Sequence, residues 1–488
     1  MLIDMEPMSQ ELMLRGMYDR DRTADGRYLV GVRTTGIYCL PSCPARKPNA
    51  ENVCFFLNEE EARQAGLRAC KWCRPDAFYR DFDPDYEAIV ALGEQIRHDP
   101  ARFAGVTDLA NALGLGATKL HELFRTHFQR SPADFLTRAR VEKACELLSL
   151  RGSNLSEVAF AVGFESLAAY HTNIRRRTGL TPGEYRRLGG SNTFTIGLPE
   201  GYLLCTAWMA LGRDRSSVIE QLDGTRFIRA LELEGVPALL RLEFVGNQTI
   251  AQVGSNSKPT PLMMRQAHRV ASRLLGIGCE PGPFERRVFN RPEIASLVAN
   301  RRGLRIPYTA DVFEALTWSI VGQQVNLSFA FSLRKQLAER YGVAIGSSGL
   351  FCHPTPQVIA ALEPENLTML QFSRSKAEYL IGVARKVTEG TLVPEELPDQ
   401  PTRLVERTLR AIRGLGPWST HYVMMRGCGF ADCVPAGDSG LSTALQRFFK
   451  LESRPDASGT LVAMSTFAPD RSLATYHLWK SLTEELSA

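Results

Sequence analysis

Leu409-Arg-Ala-Ile-Arg-Gly414-Leu415-Gly416-Pro417-Trp418-Ser-Thr-His-Tyr422 reads as the end of one helix, a hairpin bounded by glycines, and the start of a second helix. Glycines let the hairpin backbone come close to a phosphate, and the amides at the start of the second helix face the anion. Val434-Pro-Ala-Gly-Asp438 follows, with its carboxylate 20 residues after Trp418 and just ahead of another helical stretch. Gly414 and Gly416 are therefore candidate backbone contacts, and Asp438 is the candidate catalytic group. Taken without the hairpin, an Asp after a glycine suits a helix N-cap equally well.

Around this stretch lie 488 residues, enough for about three or four domains at ~150 residues each. The composition, 44% hydrophobic and 23% charged, is that of a soluble globular protein, and no apolar run of ~18 residues is present to span a bilayer. Met1 to Arg22 mixes charges with apolar residues and does not read as a secretory signal, so the expected compartment is the cytoplasm, with no membrane partner. The odd count of 11 cysteines then points to thiols and metal ligands rather than a disulfide framework. Four segments are expected. Residues 1–82 are rich in Cys, Arg and turn formers, 83–189 read as successive helices closed by Gly189-Gly190-Ser191-Asn192, 193–275 carry strand-like runs such as Phe227 to Leu233 and Leu239 to Phe244, and 276–488 are mainly helical.

The net charge of +5 is too small to name a partner, but its distribution is informative. Residues 101–190 hold 13 Arg or Lys against 8 Asp or Glu, so a polyanion should meet this segment. An internal repeat lies in the same place: Ala110-x3-Gly114 recurs as Ala159-x3-Gly163, and Phe128-Gln-Arg-Ser-Pro132 is echoed by Thr178-Gly-Leu-Thr-Pro182. In each copy the small Ala permits close helix packing and the Gly supplies a left-handed turn, which is how a helix-turn-helix is built. The second helices are expected at about Ala117 to Phe128 and Ser166 to Arg177, joined by a long helix from Ala133 to Leu150. Lys119, Arg125, Arg176 and Arg177 are their candidate DNA contacts. With its closing Thr181-Pro182-x2-Tyr185-Arg186, the segment resembles the DNA-binding domain of AraC-type regulators.

Cys39-x3-Cys43 and Cys70-x2-Cys73 are two thiol pairs 26 residues apart, suited to four sulfur ligands on one Zn2+ ion, with Cys54 between them as a poorer competing ligand. Their surroundings, Arg33-Thr-Thr-Gly-Ile-Tyr-Cys39-Leu-Pro-Ser-Cys43-Pro-Ala-Arg46 and Arg68-Ala-Cys70-Lys-Trp-Cys73-Arg-Pro75, resemble the N-terminal zinc domain of the Ada family. The resemblance implies that Cys39 is both metal ligand and acceptor of a methyl group from a DNA methylphosphotriester. Arg33, Arg46 and Lys47 are candidate phosphate contacts.

The hairpin with Asp438, together with Ile320-Val-Gly-Gln-Gln324, Cys352-His-Pro-Thr-Pro356, Phe372-Ser-Arg-Ser-Lys-Ala377 and Tyr476-His-Leu-Trp479, resembles the AlkA-type 3-methyladenine DNA glycosylases of the helix-hairpin-helix superfamily. The implied fold class is multidomain and mainly α. A small four-cysteine zinc α/β domain and a double helix-turn-helix precede a TATA-binding-protein-like α/β domain and an all-α helix-hairpin-helix domain. The implied role of Asp438 is to stabilise a cationic sugar as an alkylated purine leaves. Trp418 stands where strand-cutting relatives carry a nucleophilic lysine, which implies a monofunctional enzyme. Trp418 and Tyr422 are candidates to stack on a flipped base, or else core aromatics. Two positions depart from the family: Gln324 replaces an intercalating leucine, and Asp470 replaces a pocket tryptophan. The expected partners are alkylated and promoter duplex DNA, with RNA polymerase in addition if the chain activates transcription, and the expected state is a monomer. The competing reading is an alkylation-responsive transcription factor whose glycosylase half is catalytically inactive.

Overall fold

The computed structural model describes residues 9–21, 24–79, 83–150 and 152–484. The first eight residues, part of the stretch read as lacking a secretory signal, and Phe82, read as the end of the first segment, lie outside the described residues. The chain forms two compact units, residues 1–92 and 93–488.

The first unit is built on a four-stranded sheet in the order Val53–Phe56, Leu29–Val32, Ile37–Cys39, Arg68–Ala69. Its last two strands run parallel, with Tyr38 opposite Ala69. That pairing matters for the cysteines. Cys39 ends one strand and Cys70 directly follows its neighbour, so the two thiol pairs emerge together from the same sheet edge. Gly31 has to be a glycine, because a Cβ there would lie 2.6 Å from the Phe56 ring and 2.8 Å from Cys54 Sγ.

The second unit begins with the repeated helices, Val106–Leu113 with Ala117–Phe128 and Leu155–Ala161 with Leu167–Thr178, joined by Pro132–Leu148. The sequence explains their limits: Ser131, Ser166 and Thr181 cap helix N-termini with their hydroxyls, and Gly114 and Gly179 end helices in the left-handed conformation. Ala110 and Ala159 are buried between the paired helices. An antiparallel five-stranded sheet follows, in the order Thr193–Gly197, Gln248–Ser255, Val236–Val245, Arg226–Leu233, Glu220–Asp223, covered by the helix Pro261–Leu274. Leu180 and Leu188, at the end of the helical repeat, share this sheet's core. The glycine-rich stretch 189–192 that closes the helical segment bends tightly. Gly189 has φ +97° and a Cβ on it would lie 2.5 Å from Pro261 Cα.

The remaining helices enclose the largest core, with Val312–Val321 buried on almost every face. Beside it runs a buried ion network. Arg229, from the sheet, reaches Glu220 at 2.8 Å and Glu314 at 2.7 Å, and Arg334 reaches Glu220 at 2.5 Å and Glu314 at 2.9 Å. Burial alone would raise the Glu314 carboxyl, but the two guanidiniums outweigh it and hold it well below the usual carboxylate range. The network fastens the sheet to Val312–Val321 and Leu327–Tyr341, the two helices that flank Gln324. Among the described residues no helix is long and apolar enough to cross a membrane.

Candidate active site and metal centre

Thr402–Arg410 and Pro417–Tyr422 are the two helices of the hairpin, and the second continues without a break into a π-helical stretch, Val423–Cys428. Gly414 sits between them at φ +94°, and a Cβ there would strike the Tyr379 ring at 2.2 Å. Gly416 is exposed, with open space where a Cβ would stand, so a phosphate can approach its backbone.

Asp438 caps the helix Ser439–Phe449, its Oδ1 accepting from the Leu441 amide at 2.8 Å. The capping role is therefore real, and further contacts are added to it. Trp479 Nε1 donates to Oδ1 at 3.0 Å, and Trp418 Nε1 donates to Oδ2 at 3.1 Å. All three donors are neutral, and among the described residues no cation forms an ion pair with this half-buried carboxylate. Trp418 and Tyr422 stack on each other, with ring centroids 5.6 Å apart and planes at 26°. That gap is too small to admit a base between them, so an incoming ring has only an outer face to use. Tyr422 is buried, and burial pushes its hydroxyl above the usual range.

Gln324 lies exposed in the loop between Val312–Val321 and Leu327–Tyr341, with φ +52°, a backbone conformation uncommon for a side-chain-bearing residue. Its neighbour Gln323 donates to the Gly414 carbonyl at 2.7 Å and to Ser419 Oγ at 2.9 Å, which ties this loop to the hairpin. Lys376, a buried lysine, donates to the Val321 carbonyl at 2.7 Å, and burial lowers its pKa. Sequence reasoning missed Gln323, Lys376 and Trp479 as site residues. Each had a signal, Gln323 in Ile320-Val-Gly-Gln-Gln324, Lys376 in Phe372-Ser-Arg-Ser-Lys-Ala377 and Trp479 in Tyr476-His-Leu-Trp479. Asp470, at the other departure, pairs with Arg287.

In the first unit the sulfurs of Cys39, Cys43, Cys70 and Cys73 all lie within 4.8 Å of one another. Zn–S bonds of ~2.3 Å in a tetrahedron put sulfurs about 3.8 Å apart, so four thiols gathered this closely suit that ion. Cys54 is elsewhere, its Sγ donating to the Gly31 carbonyl at 3.5 Å. Without a cation the sulfurs compete for protons: the hydrogen bond with Cys43 is the largest cause pushing the Cys39 thiol up, and that same bond brings the Cys43 thiol down. Backbone amides support the cluster, Leu40 N donating to Cys73 Sγ and Trp72 N to Cys70 Sγ, each at 3.4 Å. Cys43 and Cys70 are buried, whereas Cys39 and Cys73 are half-exposed. Arg33 and Arg46 are exposed, and Lys47 donates to the Pro41 and Cys43 carbonyls at 3.1 and 3.0 Å.

The four cations expected on the repeated helices differ in their surroundings. Arg176 pairs with Glu280 at 3.1 Å and Arg177 with Asp134 at 2.5 Å, so both charges are answered within the protein. Lys119 pairs with Glu122 on its own helix at 3.5 Å. Arg125 lies close enough to Arg287 to help lower its pKa, after the larger effect of burial.

Three family descriptions match the chain: "Metal binding domain of Ada" over residues 13–76, "Helix-turn-helix domain" over 109–188 and "HhH-GPD superfamily base excision DNA repair protein" over 317–469. A "Probable bifunctional transcriptional activator/DNA repair enzyme AlkA" of Mycobacterium tuberculosis H37Rv is 27% identical, with 97% of this chain and 96% of that protein covered. The Escherichia coli K12 "DNA-3-methyladenine glycosylase 2" is 31% identical, covering 43% of this chain and 69% of its own length. Among solved structures, a 3-methyladenine DNA glycosylase from Archaeoglobus fulgidus shares the fold of the second half. Its TM-score is 0.52 at 19% identity, with 59% of this chain and 97% of that one covered.

Proposed function

The chain belongs to the helix-hairpin-helix DNA-3-methyladenine glycosylases, with an Ada-type metal-binding domain and a helix-turn-helix ahead of the glycosylase, and from that premise we propose that it both repairs alkylated DNA and regulates the response to it. The observation that carries the reading is the Asp438 carboxylate, held by neutral donors beside an aromatic pair and the hairpin.

An alkylated purine such as 3-methyladenine carries positive charge and is already a good leaving group. The C1′–N bond breaks with its electron pair going to the base, which leaves neutral. Water then adds its oxygen to C1′ and loses a proton to solvent, giving an abasic site. Between these steps the sugar is cationic, and a carboxylate beside it that is tied up in no ion pair lowers the barrier electrostatically. Gly414 and Gly416 grip the backbone, Gln324 fills the gap left by the flipped base, and Trp418 offers its free face to that base. Position 418 supplies no amine, so no Schiff base forms.

In the first unit Cys39, Cys43, Cys70 and Cys73 would hold zinc, which keeps the sulfurs deprotonated and nucleophilic when bound. Half-exposed Cys39 attacks the methyl carbon of a methylphosphotriester. The C–O bond breaks with its electron pair on the departing phosphodiester, and the sulfur becomes a thioether, so each molecule acts once. Arg33 and Arg46 draw in the backbone. The helix-turn-helix binds promoter DNA through Lys119 and Arg125, with Arg176 and Arg177 joining once released from Glu280 and Asp134. RNA polymerase is the further partner in activation, and the protein acts as a cytoplasmic monomer. The competing reading, a regulator with an inert glycosylase half, leaves the three donors on Asp438 without a purpose.

The test is release of free 3-methyladenine from methylated duplex DNA by the full chain. Release beyond one base per protein supports the reading, and none sinks it.

A further inference from the structure

A carboxylate that only caps a helix is fixed through one oxygen and can still swing the other. Asp438 is not free in this way. Oδ1 accepts from the Leu441 amide at 2.8 Å and from Trp479 Nε1 at 3.0 Å, which uses both of its lone pairs, while Oδ2 accepts, among the described residues, only from Trp418 Nε1 at 3.1 Å. One lone-pair direction of the group is left, and it is on Oδ2. The two indoles come from positions 20 residues before and 41 residues after the aspartate, so tertiary packing alone brings them together. Gly440 leaves room beside the Asp438–Trp479 contact: a Cβ there would lie 3.2 Å from Asp438 Oδ1 and 3.6 and 3.7 Å from Cδ1 and Nε1 of Trp479.

Resting on the glycosylase reading above, we propose that Trp479 is a positioning residue for catalysis, closing with Trp418 an indole clamp that locks the plane of the Asp438 carboxylate and turns the one free lone pair of Oδ2 toward C1′ of the flipped nucleotide. Indole N–H groups suit this task better than arginine or lysine. They fix direction by hydrogen bonding but bring no full positive charge, so the carboxylate's charge remains for the cationic sugar. Trp479 touches neither base nor sugar in this account and acts only through Asp438.

The decisive variant replaces Trp479 in the full-length protein with β-(3-benzothienyl)alanine, which keeps the ring's shape and loses only its N–H. The readouts are the single-turnover rate of 3-methyladenine release from dimethyl-sulfate-treated duplex DNA, the affinity for the same undamaged duplex, and the melting temperature. The clamp predicts a rate about ten-fold lower or more, since hydrogen bonds to charged groups are the strong ones, with affinity and melting temperature close to parental. Gly440→Ala, which crowds the same contact from the other side, should show the same split. A parental rate in the benzothienyl protein overturns the clamp, as does a loss of affinity that matches the loss of rate. The parental protein and Asp438→Asn run alongside. If the parental protein releases no base, the glycosylase reading falls and takes the clamp with it, whereas an active parental protein beside an unaffected benzothienyl variant refutes the clamp alone.

Discussion

The chain carries two anionic centres, and it keeps them in opposite ways. Cys39 and its three partners crowd four sulfurs within 4.8 Å, an arrangement that as thiolates would need a cation at its middle. Asp438 is a single carboxylate held by three neutral N–H donors and ion-paired with no cation among the described residues, Arg213 acting on it only through its Coulomb field. In the reactions proposed above, the first arrangement is a nucleophile consumed when it reacts, and the second is a fixed charge that forms no bond and is unchanged after each turnover. In that proposal a centre is spent if it takes a covalent bond it cannot release, and reused if it acts only through its field.

Removing the compensation should separate the two most sharply. Cys70→Ala, or strong chelation of the parental protein, is expected to abolish methyl transfer altogether and to destabilise the first unit, because ligand binding and folding of such sites are linked. Base release should persist. Methyl transfer to DNA-exposed Cys39 that survives metal loss would break the comparison. Removing the fixed charge is the reciprocal change. Asp438→Asn keeps an oxygen for the Leu441 amide and should leave folding and DNA binding nearly intact, while base release falls about 10²-fold or more. An Asn variant that excises at the parental rate contradicts the assignment.

A smaller effect sharpens the contrast. Methylation of Cys39 turns one thiolate into a neutral thioether and takes one unit of negative charge from the zinc-loaded cluster. At ~6 Å from a phosphate and an effective dielectric of ~20, that unit is worth about 3 kcal/mol, which salt and water reduce. A gain of about ten-fold in the affinity of the full chain for promoter DNA is expected, steepest at low salt. Equal affinities before and after methylation, across a salt series, would leave Cys39 as a repair residue without a regulatory role. The smallest expected signal is none at all: with Trp418 in place of an amine, borohydride should trap no covalent protein–DNA adduct. Recovery of an adduct would mean that some lysine reaches C1′, and buried Lys376, now committed to the Val321 carbonyl, would be the first to examine.

Features encoded within a few residues of each other were legible in the sequence. The helices Ala117–Phe128 and Leu167–Thr178 fall within a residue or so of their expected places, because glycines and capping hydroxyls mark their ends. The cysteine spacing gathers as a four-sulfur cluster because the two pairs leave adjacent strands. Contacts between distant segments were not legible. Nothing local to Asp438 announces an indole 41 residues onward, and nothing local to Gln323 announces its bond to the Gly414 carbonyl. Arg176 and Arg177 read as DNA contacts, yet folding places Glu280 and Asp134 against them. Charge in a sequence shows where a polyanion is attracted, but partners supplied by packing decide which cations are left to meet it. The bend at 189–192 makes the same point for a connecting loop. Composition marks flexible residues, whereas Gly189 is there because Pro261 leaves no room for a Cβ.

The most direct test of the two-centre account counts both products in one reaction. The full-length protein is incubated with excess methylated duplex DNA, free 3-methyladenine is measured over time, and methylated cysteine is located by mass spectrometry on the recovered protein. The account predicts base release that keeps rising well past one per protein molecule, while methyl transfer stops at one per molecule and sits on Cys39. Base release that halts at or below one per molecule, or a methyl group found on a different cysteine, would contradict it.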